Sequence, residues 1–237
     1  PTLGLFDGYL LYDRGGPGAL RPDVAARLIS LGTDFFAEYA GAVPDDATNQ
    51  RWWELAGASH VSRSEMVDYI DPQVLRDGAM QLDGVPVTLT AALEAHHGRA
   101  EGPLWSRVPN GDVLKAALHA LRRWCLEGVV PPVSPRLELD HRQRLLRDGD
   151  GSTLGGIRHA DYAVPFARNV GVTDGGARLA GFHIEFTAEE MKRRYGDHAS
   201  YVRQLSAAVE ANVAAGFLLR PEADRVVDEA RGRRFIG

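Results

Sequence analysis

The chain has 237 residues, 44% of them hydrophobic and 25% charged, which suits one large globular domain or two small ones. Its net charge of −5 excludes general nucleic-acid affinity, which needs clustered Lys and Arg to neutralise phosphates. The single cysteine, Cys125, excludes an internal disulfide and any Cys-cluster metal site, and no apolar run approaches the ~20 residues that span a bilayer.

Taken in order, residues 3–12 form an apolar run of strand length, and Gly15-Gly16-Pro17-Gly18 is loop chemistry. An all-apolar strand without alternation suits a parallel sheet covered on both faces. A helical turn is expected over 22–27, with Pro22 tolerated at its start. A second strand follows over 26–34, ending in Asp34, then a segment 35–50 that is helical at first and polar at its end. A third strand over 51–56 runs through a small-residue turn to His60. Residues 61–78 read as helix then loop, and 80–98 as an Asp-Gly turn and a short helix around Leu89 and Leu93. The clearest helix follows. Asn110 can cap it, and Leu114, Leu118, Leu121 and Cys125, widened by Val113, Ala117 and Trp124, give its apolar stripe. Gly128 and Pro131-Pro132 stop it, and it is expected to pack beside the strand carrying His60. Residues 131–181 read as loop-rich, with a short alternating strand over 137–140 and turns at 148–151 and 155–158. In the tail, Thr187 and Glu190 form a capping box, a longer helix carries Tyr201 to Val213 and stops at Gly216, and a last helix spans 221–230.

Two strand ends carry chemistry. A parallel sheet places its site at the carboxyl ends of its strands, and here two successive strands end in Asp34 and His60. An α/β-hydrolase delivers the acid and the histidine of its triad in that order, after a serine on a G-x-S-x-G elbow. No G-x-S-x-G occurs in these residues.

Trp53-Glu54-Leu55-Ala56-Gly57-Ala58-Ser59-His60 resembles the W-E-x-A-G-x-[SA]-H segment of a bacterial family, the alpha/beta hydrolase domain proteins. Phe6-Asp7-Gly8 is similar to that family's F-D-G strand. The run from Leu118 to Pro132 resembles its helix and double proline. Gly155-Gly156-Ile157-Arg158, Ala163-Val164-Pro165, Tyr195-Gly196 through Tyr201-Val202, and Ala215 to Leu219 match further pieces in the same order. The resemblance implies serine hydrolase chemistry on esters, lactones or related acyl compounds, without a cofactor. It implies His60 as general base and Asp34 as the orienting acid. The family's T-E-x-D reads Thr33-Asp34-Phe35-Phe36 here, which leaves Glu38 as the alternative acid. It also implies that the nucleophile elbow and oxyanion donors precede the F-D-G strand.

Plainer readings stand beside these. Asp34 can serve as an N-cap for the helix after it, and a histidine after a strand can be structural. Ser59 is adjacent to His60 and so points elsewhere. His96-His97 lack a third ligand at metal spacing, and Asp148-Gly149-Asp150-Gly151 lacks the closing Glu of a calcium loop. Trp52, Trp53 and the stripe 113–125 read as core, and Arg231 to Arg234 as a charged terminus with no assigned partner.

The expectation is an α/β fold: the C-terminal part of a hydrolase sheet over 1–130, and a loop-rich, helical extension over 131–237 packed on it in the same domain. Half a sheet leaves its first strand an unpaired apolar edge. A companion chain carrying the nucleophile, from cleavage or a split gene, is therefore expected, with a small ester or lactone as substrate and no nucleic acid, membrane span, metal or cofactor. A non-catalytic assembly subunit is the alternative. The chain opens at Pro1 and shows no secretory signal, so an upstream segment is expected and the compartment stays open, a cytoplasmic one being favoured.

Overall fold

The computed structural model describes residues 5–13, 25–40, 45–97, 101–173 and 178–235. Strands β1 (Gly8–Tyr12), β2 (Arg27–Thr33) and β3 (Gln50–Leu55) form a parallel sheet in the order β1-β2-β3. Helix α1 (Asp34–Ala40) begins directly at the end of β2. The register sets Tyr12 beside Leu31 and Thr33 beside Leu55, so all three strands finish at one end of the sheet. The Gly-Pro run at 15–18 and residues 22–24 of the expected helical turn lie outside the described residues. Ala25 and Ala26 precede β2 without helical structure, and Arg27 is already strand.

Beyond β3 the chain is helical from Arg63 to Asp77, as α2 (Arg63–Glu65), a π-helical turn (Met66–Ile70) and α3 (Asp71–Asp77). A two-residue hairpin, β4 (Gln81–Leu82) and β5 (Val85–Pro86), turns at Asp83-Gly84 and leads to α4 (Leu89–His97). Helix α5 (Asn110–Glu127) packs across β1 and β2, not on the strand that precedes His60. It buries Val113, Ala116, Ala117, Leu121 and Trp124, while Leu118 stays 58% exposed. The apolar face is thus turned slightly from the expected stripe. Close approach to β1 sets it: a Cβ on Gly8 would lie 2.9 Å from Leu121 and 2.8 Å from the Cys125 sulfur. Gly128 ends the helix in the left-handed conformation, as its position suggests.

The stretch 131–181, expected as loop, also holds α6 (Ala160–Ala163) and the first strand of an antiparallel pair, β6 (Ala167–Val170) with β7 (Phe182–Glu185). Its turn at 148–151 is held by Asp148, whose carboxylate accepts from the Asp150 and Ser152 amides at 3.0 and 2.9 Å. Residues 155–157 fold back along the outer edge of β3. Ile157 N–H donates to Glu54 O at 2.6 Å, and Ala56 N–H to Ile157 O at 3.0 Å. Three helices close the chain: α7 (Ala188–Tyr195) with the Thr187–Glu190 capping box, α8 (His198–Ala214) and α9 (Arg220–Gly232).

The main core lies between the sheet and α5. It includes Ile29, Leu31, Trp53 and Leu55 together with Leu137, Ile157, Tyr162 and Phe217 from the later chain. Trp53 is fully buried, edge-on to Phe217 at 4.9 Å, and its indole N–H donates to Pro132 O at 3.0 Å. A second core joins α7, α8 and α9 around Met191, Tyr201, Leu205 and Val226. Among the described residues no helix is long and apolar enough to cross a membrane.

Candidate active site

The carboxylate that meets His60 is Asp13, one residue past β1. Its backbone N–H continues the parallel ladder to Leu31 O at 2.9 Å, and its φ of 42° turns the chain away from the sheet. Aspartate visits that left-handed region more readily than most side chains. The neighbouring strand end then fixes the carboxylate. Thr33 N–H donates to Oδ1 at 2.7 Å and the Thr33 hydroxyl to Oδ2 at 2.6 Å. His60 Nδ1 lies 2.8 Å from the same Oδ2. The Asp13 side chain is wholly buried, whereas that of His60 is one-third exposed (33%).

An ionised carboxylate only accepts, so Nδ1 carries the proton. The neutral ring therefore offers its lone pair at Nε2, which makes no hydrogen bond among the described residues. Asp13 raises the His60 pKa above its ordinary 6.5, through the hydrogen bond and then its charge; partial burial opposes this and Glu65 adds slightly to it. Such a pair orients an imidazole and stabilises it once protonated.

The loop that delivers His60 is pinned from four sides. Gly57 takes a φ of 75°, and a Cβ there would sit 2.1 Å from the Tyr162 ring. Ser106 Oγ donates to Gly57 O at 2.5 Å. Tyr12 Oη donates to His60 O at 2.9 Å, and Asn110 Nδ2 donates to Ser59 O at 2.9 Å and also to Tyr12 Oη. Asn110 therefore does not cap its helix as expected; Pro109 holds the N-cap position without a side-chain bond. The Phe35 ring stands 5.2 Å from the imidazole. Ser59 turns its hydroxyl to Val61 O, away from His60.

Asp34, expected beside His60, is placed elsewhere. It opens α1, fully buried, where its carboxylate accepts Gly57 N–H at 2.9 Å and the Thr153 hydroxyl at 2.7 Å. Its own N–H reaches Ala58 O at 3.3 Å. It braces the His60 loop from behind without touching the ring. Burial pushes its carboxyl up to about 6, only partly offset by Thr153, Arg147 and the Gly57 and Gly171 amides. Glu38, the alternative acid, lies 3.6 Å from the Arg178 guanidinium.

The acid expected beside His60 was Asp34, and the one that bonds to it is Asp13. The signal for Asp13 was present: Leu10-Leu11-Tyr12-Asp13 ends an apolar strand in an acid, just as the second strand does. Tyr12, Thr33 and Asn110 carry no local signal, because their roles arise only where three strand ends meet α5.

Just past His60, Ser62, Arg63 and Ser64 line a cleft of about 560 Å³ together with Arg107 and Lys115. Ser62 is committed to a capping box with Glu65. No serine or cysteine hydrogen bonds to His60 among the described residues. Nor does any group of three or more His, Cys, Asp and Glu gather there as a metal site; the His97 side chain lies outside the description.

A three-stranded parallel sheet flanked by helices, with a buried acid and a partly exposed histidine at its carboxyl end, belongs to the α/β class in which hydrolases build triads. The family described as Alpha/beta hydrolase domain matches residues 1–228, and the chain belongs to it, with the hydrolase-type function that the family carries. Comparison with the curated proteins and with the solved structures gave no match.

Proposed function

We propose that the chain supplies the general base and the orienting acid, His60 and Asp13, of a serine-type acyl hydrolase acting on esters or lactones. The 2.8 Å bond between Asp13 Oδ2 and His60 Nδ1 carries this reading, because it leaves Nε2 as a partly exposed base with no partner among the described residues. His60 takes the proton of a nucleophilic hydroxyl as it attacks the acyl carbon, then returns it to the leaving alcohol. Asp13 holds the ring in the required tautomer and stabilises the imidazolium between the two steps. Asp34 is then a positioning residue for the loop and not the triad acid.

The nucleophile and the oxyanion donors come from outside these residues, on an N-terminal half or a companion chain. Two observations support this. No G-x-S-x-G is present, and the side of β1 away from β2 meets no strand among the described residues. Residues 155–157, by contrast, cover the far edge of β3. A fluorophosphonate probe on the enzyme as it occurs in its source tests the proposal. It should label a serine outside this chain, and His60→Ala should abolish labelling while leaving assembly intact. Label on a serine of this chain would overturn the shared site. No label at all would favour a non-catalytic assembly subunit.

A further inference from the structure

A second cleft, of about 450 Å³, opens where β6 and β7 meet the end of α9; Arg107, His183, Glu185 and Arg234 all line it. Asn169 settles its chemistry. Asn169 Oδ1 faces the Arg107 backbone N–H at 2.9 Å, and that N–H can only donate, so the facing atom is the oxygen. The same oxygen lies 2.8 Å from His183 Nδ1, which must therefore carry a proton. Burial first, then the Arg107 charge, holds His183 well below its ordinary pKa, so the ring is neutral. Its Nε2 is left as a bare lone pair in a side chain only 9% exposed, with no hydrogen-bond partner among the described residues.

Glu185 Oε1 faces it at 3.7 Å, too far for a hydrogen bond and itself an acceptor. A buried acceptor facing another acceptor is a costly arrangement, and a donor placed there relieves it. Glu185 is 59% exposed and tied to the site by an ion pair to Arg107 at 3.1 Å. A ligand carboxylate can take its place on Arg107 as Glu185 swings into solvent. Arg234 is exposed and has no ion pair among the described residues, so it supplies a second, uncommitted cation. Phe166, Phe186 and Phe235 add apolar wall. Of the other charges in the wall, Arg233 donates to Asp161 at 2.8 Å, so that pair is closed on itself.

We propose that this cleft binds a small hydroxycarboxylate with an apolar body, its carboxylate on Arg107 and Arg234 and its hydroxyl donating to His183 Nε2. The cleft shares Arg107 with the one beside His60, and the inference does not rest on the reading given above. Calorimetric titration of the protein with mandelate and with phenylacetate, which lacks only the hydroxyl, tests it. Mandelate should bind about tenfold more tightly, the usual worth of one buried hydrogen bond. Glu185→Ala should tighten both ligands by removing the competing carboxylate, and Arg234→Ala should weaken both. The nitrogen chemical shift of His183 Nε2 should move with mandelate and not with phenylacetate. Equal affinities, no saturable binding, or binding indifferent to both substitutions would overturn the proposal and leave Nε2 to an ordered water. Neither variant alters a buried residue, so the outcome does not depend on folding of a core mutant.

Discussion

Asp13 and Asp34 sit at the ends of adjacent strands and do opposite things. Asp13 is buried and hydrogen bonded by three donors, two from Thr33 and one from His60. In the proposed reaction its charge is matched by the imidazolium that forms on His60. Because Asp13 raises the His60 pKa above 6.5, and the base must be neutral to work, the acid limb of kcat/KM should have its midpoint above pH 6.5. Asp13→Asn should move that midpoint down. A limb unchanged by the substitution would separate Asp13 from the base. Asp34 feels the Arg147 charge only across Thr153, and burial outweighs it, lifting the carboxyl from 3.8 to about 6. A carboxyl raised in the folded state favours folding while protonated. That contribution is full below about pH 3.8 and is lost as pH rises through about 6, a change of roughly 3 kcal/mol. Asp34→Asn keeps an acceptor for Gly57 and cannot ionise. Urea unfolding between pH 4 and 7 should therefore show a flatter pH dependence in that variant; an unchanged slope would place the titration elsewhere.

At the scale of elements, the segment from Leu55 to His60 matters most, since β1, α1, α5 and α6 all hold it in place. Gly57→Ala must strain a φ of 75° and drive a methyl to within 2.1 Å of the Tyr162 ring. Backbone strain and overpacking each cost about 1–3 kcal/mol, so the variant should lose roughly 2–6 kcal/mol in chemical denaturation, and a loss under about 1 kcal/mol would contradict this packing. Local signals were legible in the sequence for a physical reason: they act within a turn or two. Gly128, the Thr187–Glu190 capping box and the helix carrying Tyr201 to Val213 all appear where their spacing puts them. The β6–β7 pair was not legible. Each strand is four residues long, too short for a period, and the two meet only through tertiary packing. Asn110 misled for a related reason, because it has cap chemistry but the His60 loop competes for its side chain.

For the molecule as a whole, the two edges of the sheet differ. The edge at β3 is closed by residues 155–157, and the edge at β1 is not closed by any described residue. Near it Leu5 and Phe6 are 72% and 63% exposed. Asp7 O and Asp13 N–H bond to β2, so by alternation the amides of Gly8, Leu10 and Tyr12 point outward. Hydrogen exchange on the isolated chain should be fast at Leu10 and Tyr12 and slow at Tyr9 and Leu11. In the assembled enzyme proposed above the outward pair should become protected; persistent fast exchange there would mean that no strand docks on β1. The parallel sheet and its helices were legible from three apolar runs and the motif order. The histidine was legible because a strand and a small-residue turn announce it. The residue that bonds to it was ambiguous because two strands end in aspartate, and only the three-dimensional meeting of Asp13, Thr33 and His60 sets them apart.

The most direct test of that assignment is to compare kcat of Asp13→Asn and Asp34→Asn in the complete enzyme with a p-nitrophenyl ester, at a temperature where both are folded. Asp13→Asn should lower kcat by about 10²–10⁴-fold, because the ring loses its orienting carboxylate, while Asp34→Asn should stay within about tenfold of the parent. The reverse ranking would return the triad acid to Asp34 and contradict the account.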